Sequence, residues 1–479
     1  MQQILDLHIH SKYSRSCSTQ LTLENIDAAC RIKGVDIIAT GDFTFPEWFA
    51  DIKNKLESIP PTPLPARTTK VIQSGGYQGG RDVGLYKLKS AKDDKIKFIL
   101  STEVALIYKD GNKARRIHLV IHAPSLNAAE ELNNYLDKDF NIRSDGRPIL
   151  GMSAPELMKL CLNIDKKFLI YSAHIWTPWF AVFGSKSGFD KMEDCFHEYT
   201  KNIYALETGL SSDPAMNWRL SALDNLTILS NSDAHSLPNI GREANVFEME
   251  EISYDEIYEI IKNKKIYKEM PARTTEVVQS GGDFRFPSGI LGTSRGNDKK
   301  GIKYTIEFYP EEGMYHYDGH RLCGVSFAPV ETKKLKGICP VCKKSLTIGV
   351  MSRVEELADR PTNAFASAGK PPAGQAGFVK LVELDKIIAE SLDIKSRHSN
   401  KVQAKYNNLI RQGGSELNIL LNVSLKELEK MTDAAIVEGV KRVREGRLLI
   451  KPGFDGQYGE IKIFNEQEKK RNRQKSLFE

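Results

Sequence analysis

Two histidines alternate with apolar residues near the start of the chain, in Asp6-Leu7-His8-Ile9-His10. Successive side chains of a β-strand point to opposite faces, so Asp6, His8 and His10 are predicted to share one face. Two imidazoles on one face of a strand can bind a single metal ion, but an H-x-H spacing alone is a weak sign of a metal site. The pattern therefore needs support from other parts of the chain.

That support comes from acids and histidines on or just after later predicted strands. These residues are Asp42, Glu103, His118, His174, Asp233 and His235. Each one alone is more often a core histidine or a capping aspartate, but their recurrence on separate strands indicates one shared site. Mixed imidazole and carboxylate ligands suit Zn, Mn or Fe, and their number exceeds the needs of one ion.

A cluster of two or three metal ions points to the hydrolysis of phosphate esters. Such clusters activate water and bind the oxygens of a phosphoryl group. The sequence contains no Ser-His-Asp nucleophile motif and no Walker phosphate loop that would favour a different chemistry. Asp233 and His174 are predicted to combine metal binding with proton transfer.

The first half of the chain alternates β-rich runs with helical patterns, which predicts an α/β fold built of βα units. The predicted strands are Ile4–His10, Val35–Thr40, Ile96–Val104, Ile117–His122, Phe168–Ser172, Ile203–Glu207 and Leu226–Asn231. Seven strands suit a small, distorted (β/α) barrel. Barrels of this kind place their catalytic groups where strands end and loops begin, which is where the acids and histidines occur.

A second group of metal-binding residues lies in the middle of the chain. His320 and Cys323 form an H-x-x-C pair, and Cys339 and Cys342 form a C-x-x-C pair. Each pair can offer two ligands from a tight turn, and four N/S ligands without an open position make a structural Zn site. His316 is an alternative to His320 as the fourth ligand.

The chain is predicted to contain three domains and a tail. Residues 1–265 form the phosphoesterase domain, 300–360 the zinc-binding module, and 378–464 a helical C-terminal domain that binds DNA. The polar residues 465–479 are predicted to be a disordered tail. Two copies of a sequence that begins Pro-Ala-Arg-Thr-Thr, at 65–76 and 271–282, and the Ala-, Gly- and Pro-rich stretch 361–377 are predicted to be surface insertions or linkers.

Composition allows a large, soluble enzyme. The chain has 479 residues, of which 41% are hydrophobic and 27% charged, enough for two to four domains. No apolar run is long enough to cross a membrane, and the N-terminus lacks the features of a secretory signal, so a cytoplasmic protein is expected. The net charge of +6 permits binding to nucleic acid without requiring it.

The motifs DLHIHSKYS, GD, STEV, RRIH, SAH and SNSDAHS together resemble the polymerase and histidinol phosphatase (PHP) family of metal-dependent phosphoesterases, over about residues 1–250. By that resemblance the metal ligands would be His8, His10, Glu103, His118, His174, Asp233 and His235. Glu103 would bridge two ions and so act in catalysis with Asp233 and His174. The sequence departs from the family at Gly41-Asp42-Phe43, where most members have Thr-Asp-His, and at Ser16, where many have His. Both changes fall on the third metal position, for which Asp42 is the remaining candidate ligand.

Nearly the whole chain is similar to the endonuclease Q family, which combines a PHP domain, a CPxC zinc knuckle and a helical end. The similarity includes Trp176-Thr177-Pro178-Trp179, Gly241-Arg242-Glu243 and the segment 456–461. It implies a DNA repair endonuclease that cuts 5′ to a deaminated base, such as hypoxanthine, uracil or xanthine, or to an abasic site. The implied cofactors are Zn in the structural site and the catalytic cluster, with Mg or Mn also serving in the cluster.

The sequence leaves other interpretations open. The chain could be a PHP-family phosphatase or a DNA exonuclease without lesion specificity, or a DNA-binding scaffold without activity. Trp176, Trp179 and Phe180 could stack on a base or pack in the core. The tail residues Gln474, Leu477 and Phe478 resemble the short peptide by which repair proteins bind the replication sliding clamp.

Overall fold

The computed structural model describes residues 1–59, 84–267, 300–361, 371–372 and 374–469. Both copies of the repeated sequence, much of the predicted linker 361–377, and the proposed clamp-binding residues of the tail lie outside the described residues. None of the helices in the described part of the chain is long and apolar enough to cross a lipid bilayer.

Strands dominate the first two thirds of the chain. In chain order they are β1 (Gln2–Asp6), β2 (Ile37–Ala39), β3 (Leu56–Ser58), β4 (Leu85–Leu88), β5 (Lys97–Ile99), β6 (Ser101–Asp110), β7 (Lys113–His122), β8 (Ile149–Leu150), β9 (Leu169–Ser172), β10 (Ala205–Thr208), β11 (Thr227–Ser230), β12 (Ala244–Glu248), β13 (Gly301–Glu307), β14 (Asp318–His320), β15 (Val325–Phe327), β16 (Gly377–Lys380), β17 (Leu449–Lys451) and β18 (Glu460–Lys462). All seven predicted strand regions contain observed strands.

Helices connect these strands and form most of the C-terminal region. They are α1 (Leu23–Lys33), α2 (Pro46–Lys55), α3 (Leu126–Asp139), α4 (Ala154–Ile164), α5 (Met192–Phe196), α6 (Pro214–Asn217), α7 (Tyr254–Lys262), α8 (Pro329–Lys334), α9 (Val350–Leu357), α10 (Leu384–Ser391), α11 (Asn400–Gly413), α12 (Glu416–Leu421), α13 (Leu425–Met431) and α14 (Ala434–Arg444). Side-chain hydroxyls cap several of them, including Thr22 before α1 and Ser125 before α3. The α/β class and the helical C-terminal region are confirmed.

Two large sheets form the frame around the candidate ligands. One has eight strands in the order β16-β13-β12-β1-β2-β5-β4-β3, and the other has six in the order β11-β10-β9-β7-β6-β8. The chain passes from one sheet to the other at Leu100, between β5 and β6. A parallel bridge between Ile9 and Ala234 brings the end of β1 to the segment after β11. These two links join the two sheets into one frame.

The first strand shows how the sequence pattern produces this frame. Leu5, Leu7 and Ile9 are at most 1% exposed and pack into the apolar core. His8 and His10, on the opposite face, are equally buried. The segment from Leu5 to His10, which includes the end of β1 and the four residues after it, is buried on both faces, so its polar side chains must find partners inside the protein.

The predicted region Ile96–Val104 differs from the structure in one respect. It contains two strands, β5 and β6, which belong to different sheets. The sequence gives no signal for this change of sheet, because the residues of β5 and those of β6 both have the pattern of a β-strand.

The domain limits at residues 300 and 378 fall inside the first sheet. β13 pairs antiparallel with β12, and β16 pairs parallel with β13, so both extend the sheet that contains β1. Between them, β14, β15, α8 and α9 form a compact module around the cysteine residues. This module also contacts the C-terminal region through a bridge between Tyr317 and Phe454.

Candidate metal centres

Four of the predicted ligands converge in one buried group. His8, His10, Glu103 and Asp233 each offer a ligand atom, and these atoms lie within 4.8 Å of one another. Nε2 of His10 is 3.0 Å from Asp233 Oδ1 and 3.3 Å from Glu103 Oε2. Nε2 of His8 is 3.7 Å from the same Asp233 oxygen. Residues from the segment after β1, from β6 and from the loop after β11 thus face one small space.

Glu103 also belongs to a second buried group, with His118 and His174. Its Oε1 is 2.8 Å from His118 Nδ1 and 3.2 Å from His174 Nε2. The two oxygens of Glu103 therefore face different sets of imidazoles. This is the arrangement expected of a carboxylate that bridges two ions.

The chemistry of these atoms fits a metal ion. Nε2 of His8, Nε2 of His10 and Oδ1 of Asp233 are buried and have no hydrogen-bond partner within the described part of the chain. A buried polar atom without a partner costs about 1–3 kcal/mol. Three such atoms facing each other are explained if a cation is their common partner, and imidazole with carboxylate suits Zn or Mn.

Three further side chains hold the imidazoles in place. Nδ1 of His8 is 3.0 Å from Glu207 Oε2, and Nδ1 of His10 is 3.0 Å from Asp42 Oδ1. The hydroxyl of Thr177 is 2.9 Å from Nδ1 of His174. Each contact leaves Nε2 of the imidazole directed at the cluster, as is usual for metal-binding histidines.

The electrostatics of the group also favour a cation. Burial lowers the pKa of His8, but the carboxylates of Glu207 and Glu103 outweigh it and hold that pKa well above its ordinary value. Burial would raise the pKa of Asp233, yet the nearby His10 and His8 keep it far below the ordinary range. Burial lowers the pKa of His118 to about 4, so this imidazole is neutral at pH 7 and can act as a ligand.

Three cluster residues have backbone conformations that L-amino acids rarely adopt. Asp42, His174 and Asp233 have φ angles of 46°, 27° and 45°. They follow β2, β9 and β11, where each strand turns into its loop. Non-glycine residues in this region cost about 1–3 kcal/mol and cluster at functional sites. The strain here turns each side chain towards the common space.

Asp42 and His235 lie beside the two groups. Both oxygens of Asp42 are engaged, since Oδ2 accepts hydrogen bonds from the Ser11 amide at 2.6 Å and the Ser14 hydroxyl at 2.9 Å. Asp42 therefore contacts His10 directly and lies outside the two groups of converging ligand atoms, and its role as a ligand of a third ion stays a prediction. The His235 ring lies 4.6 Å from the His10 ring, with Nδ1 2.8 Å from the Asp233 carbonyl oxygen.

The predicted zinc ligands form a third group. The ligand atoms of His320, Cys323, Cys339 and Cys342 lie within 4.8 Å of one another, and His320 Nδ1 is 3.1 Å from Cys323 Sγ. Backbone amides around Cys342 lower the pKa of Cys339 to about 7, which favours the thiolate that zinc binds. The alternative ligand His316 lies outside the group, with Nδ1 3.1 Å from the Ser211 carbonyl oxygen.

We expect Cys339→Ser to remove one zinc ion per chain and to lower the melting temperature, because a structural zinc site contributes folding energy directly. Metal analysis by mass spectrometry and thermal unfolding would measure both effects. Cys161→Ala, which changes a buried thiol in α4, is the control and should keep the zinc content. Unchanged zinc in Cys339→Ser would contradict the assignment.

The three aromatic residues after β9 have different environments. Trp176 is 1% exposed, and its indole N–H donates to Asn217 Oδ1 at 2.8 Å, so it is a core residue. Phe180 packs against His118, with ring centroids 4.5 Å apart. Trp179 is 37% exposed and contacts Tyr315 of the zinc-binding module. Trp179 is thus the most exposed of the three and the best placed to stack on a base.

Sequence reasoning missed two charged residues of the cluster. Glu207 accepts hydrogen bonds from the His174 amide at 3.0 Å and from the Asn231 side chain at 2.9 Å, besides its contact with His8. It ends a predicted strand, so the pattern that identified Glu103 could have identified it. Arg147 is 2.9 Å from Glu103. It precedes a two-residue strand that gives no recognisable sequence signal.

Two protein-family models and two known proteins match parts of the chain. A PHP-associated family model matches residues 217–266, and the model of the MJ0043 C-terminal domain matches 383–447. The uncharacterised protein MJ0043 of Methanocaldococcus jannaschii is 29% identical over 60% of this chain, which corresponds to 31% of that protein's length. The uncharacterised protein YqxK of Bacillus subtilis is 26% identical over 72% of this chain and 74% of its own.

Two solved structures match nearly end to end. The lesion-specific endonuclease PfuEndoQ from Pyrococcus furiosus has a TM-score of 0.73 and 26% identity, with 97% of this chain and 96% of that chain covered. Endonuclease Q in complex with a 27-mer duplex substrate that carries an abasic lesion at the active site has a TM-score of 0.73 and 27% identity, with 98% of both chains covered. The resemblance to a PHP-domain endonuclease Q is confirmed.

Proposed function

We propose that this chain is a metal-dependent DNA repair endonuclease that cuts the phosphodiester 5′ to a deaminated base or an abasic site. The proposal depends mainly on the position of Glu103, whose two oxygens face two separate groups of imidazoles. The similarity to endonuclease Q structures, including one with an abasic duplex, extends over 97–98% of the chain. Hypoxanthine, uracil and xanthine are the deaminated bases that the family resemblance implies.

Two sets of side chains would hold the ions. His8, His10, Glu103 and Asp233 form one set, and Glu103, His118 and His174 form the other. Zn, Mg or Mn ions bound there supply Lewis acidity and activate water for attack on phosphorus.

The chain's own residues provide orientation and proton transfer. Glu207 and Asp42 fix the rings of His8 and His10, so their Nε2 atoms need no rearrangement to bind. Asp233 Oδ1 is buried and faces the shared space, where it would hold an ion. His174, whose Nε2 is 3.2 Å from Glu103 Oε1, would accept the proton of an attacking water. Cleavage of the bond between phosphorus and the 3′ oxygen would leave a 3′-hydroxyl and a 5′-phosphate.

The zinc-binding module offers a surface for the DNA backbone. Five lysines of the module are exposed, and they are Lys333, Lys334, Lys336, Lys343 and Lys344. Such cations bind phosphates without reading the sequence. Trp179 lies between this module and the cluster and is exposed enough to stack on a displaced base. A damaged base costs less to take out of the stack, which favours its selection.

We expect the protein to nick a duplex at a single uracil, hypoxanthine or abasic site when Mg²⁺ or Mn²⁺ is present, and to leave the undamaged duplex intact. An end-labelled duplex on a denaturing gel measures the position of the cut. A ligation assay distinguishes a 3′-hydroxyl from a 3′-phosphate. EDTA should abolish the reaction, because the ions supply the chemistry of the cut.

The same assay separates this function from the alternatives. Progressive shortening from the ends, or release of phosphate from a small monoester, would indicate the exonuclease or the PHP phosphatase. Binding without any cut in Mg²⁺, Mn²⁺ or Zn²⁺ would indicate a scaffold. We also propose, from the sequence alone, that Gln474, Leu477 and Phe478 bind a sliding clamp.

A further inference from the structure

Arg147 lies beside the carboxylate that the two ligand groups share. Its Nη1 is 2.9 Å from Glu103 Oε2. Glu103 is almost fully buried, whereas the Arg147 side chain is 26% exposed. The guanidinium therefore lies on the solvent side of the cluster, where a substrate would approach.

The loop that carries Arg147 is held close to the cluster. The Gly146 amide donates to the Tyr13 carbonyl at 3.1 Å, and the Arg147 amide donates to Asp145 Oδ1 at 3.2 Å. A side chain at residue 146 would collide with the Asp42 carboxylate, so only glycine allows this approach. After the loop, β8 pairs with β6, the strand of Glu103. The position of Arg147 is thus fixed from both sides.

The charge of Arg147 suits an anionic ligand. The guanidinium of an arginine stays protonated in proteins, so Arg147 carries a positive charge beside the cluster. A guanidinium presents five N–H donors in a planar fork, and one contact with Glu103 leaves most of them for another acceptor. This planar fork matches the oxygens of a phosphate better than the ammonium group of a lysine would.

We propose that Arg147 contacts the substrate directly and donates hydrogen bonds to a non-bridging oxygen of the scissile phosphate. This inference rests on the proposed function, because it assumes that a phosphodiester occupies the space in front of Glu103. Arg147 would then offset the charge of the phosphate and hold it in line with the two ligand groups.

The test is a double-mutant cycle on DNA binding. Asp233→Asn provides a cleavage-deficient background, to which Arg147→Gln is added. Each protein is titrated by fluorescence anisotropy, in Mn²⁺, with an abasic duplex whose scissile linkage is either a phosphodiester or an uncharged methylphosphonate. We expect Arg147→Gln to weaken binding of the phosphodiester duplex about 10- to 100-fold, the value of charge-assisted hydrogen bonds. It should have little effect on the methylphosphonate duplex.

Two controls separate contact with substrate from a merely structural role. Arg143→Gln changes an exposed cation of the same loop, which pairs with Asp137 of α3. This variant should bind both duplexes as tightly as the Asp233→Asn protein does. Arg147→Lys keeps the charge without the fork, and its affinity should lie between those of arginine and glutamine. Circular dichroism and the melting temperature report folding, and metal analysis of the otherwise wild-type Arg147→Gln reports the ion content.

Each outcome decides between the interpretations. Equal weakening on both duplexes, or loss of metal from Arg147→Gln, would show that Arg147 only positions Glu103, and would overturn the proposal. Unaltered binding of the phosphodiester duplex would overturn it as well. The proposed function fails in a different way, because wild-type protein would then not nick the abasic duplex at all.

Discussion

Glu103→Gln is expected to abolish strand cleavage and to lower the affinity of both ligand groups for metal. Glu103 is the one residue that both groups contain, and its oxygens lie 2.8 Å from His118 and 3.3 Å from His10. A neutral amide binds Zn or Mn far less well than a carboxylate. Since a bound ion contributes several kcal/mol to the transition state, we expect cleavage to fall about 1,000-fold or more.

Cleavage of a lesion-bearing duplex and metal analysis after dialysis would measure the two effects together. Glu130→Gln is a suitable control, since this exposed glutamate on α3 pairs only with Lys53 in the described structure. It should leave activity and metal content unchanged. If Glu103→Gln kept its ions and cut at the wild-type rate, Glu103 could not be a bridging ligand.

Asp233→Asn is expected to cut about 1,000-fold more slowly or worse, because it loses a carboxylate ligand of the group formed with His8, His10 and Glu103. Its binding to DNA should be retained. The exposed lysines of the zinc-binding module are unaffected, and the removal of one negative charge from the cluster reduces the repulsion of phosphate. Affinity for the lesion-bearing duplex should therefore stay the same or increase.

A gel-shift titration alongside the nicking assay separates catalysis from binding. Asp255→Asn, an exposed position on α7 whose aspartate pairs with Lys167, should behave like the wild type in both assays. Full cleavage by Asp233→Asn would exclude Asp233 from the metal site. A parallel loss of cleavage and binding would instead indicate that Asp233 supports the folded cluster as a whole.

These two variants also distinguish an endonuclease from a scaffold. A protein that only bound DNA would show no difference between Asp233→Asn and Asp255→Asn, because neither residue would serve a reaction. A large loss confined to Asp233→Asn, with DNA binding retained, is the behaviour of a catalytic group.

Parts of the site could be predicted because their geometry is local. The alternation of strand side chains is enough to place His8 and His10 on one face. The short spacings H-x-x-C and C-x-x-C identify the cysteine module, and the fold brings His320, Cys323, Cys339 and Cys342 together. Such patterns are readable because neighbours in sequence must also be neighbours in space.

Other parts depended on contacts between distant segments. Asp42 ends a strand as a ligand would, yet its oxygens bind His10, Ser11 and Ser14. Trp176 and Trp179 are three residues apart in the same motif, but one is buried in the core and the other is exposed. Sequence cannot separate these cases, since the outcome is set by which side chains of other elements fill the surrounding space.

The sequence by itself determined the α/β frame, the candidate ligands at the strand ends and the composition of the zinc-binding module. The resemblance to the PHP family already implied that Glu103 bridges two ions. Only the tertiary structure decided that Glu207 and Asp42 contact the imidazoles of His8 and His10, and that Arg147 reaches the cluster. The physical reason is range. Strand alternation and turn spacing act over a few residues, whereas a metal cluster is defined by distances of about 3–4 Å between atoms far apart in the chain.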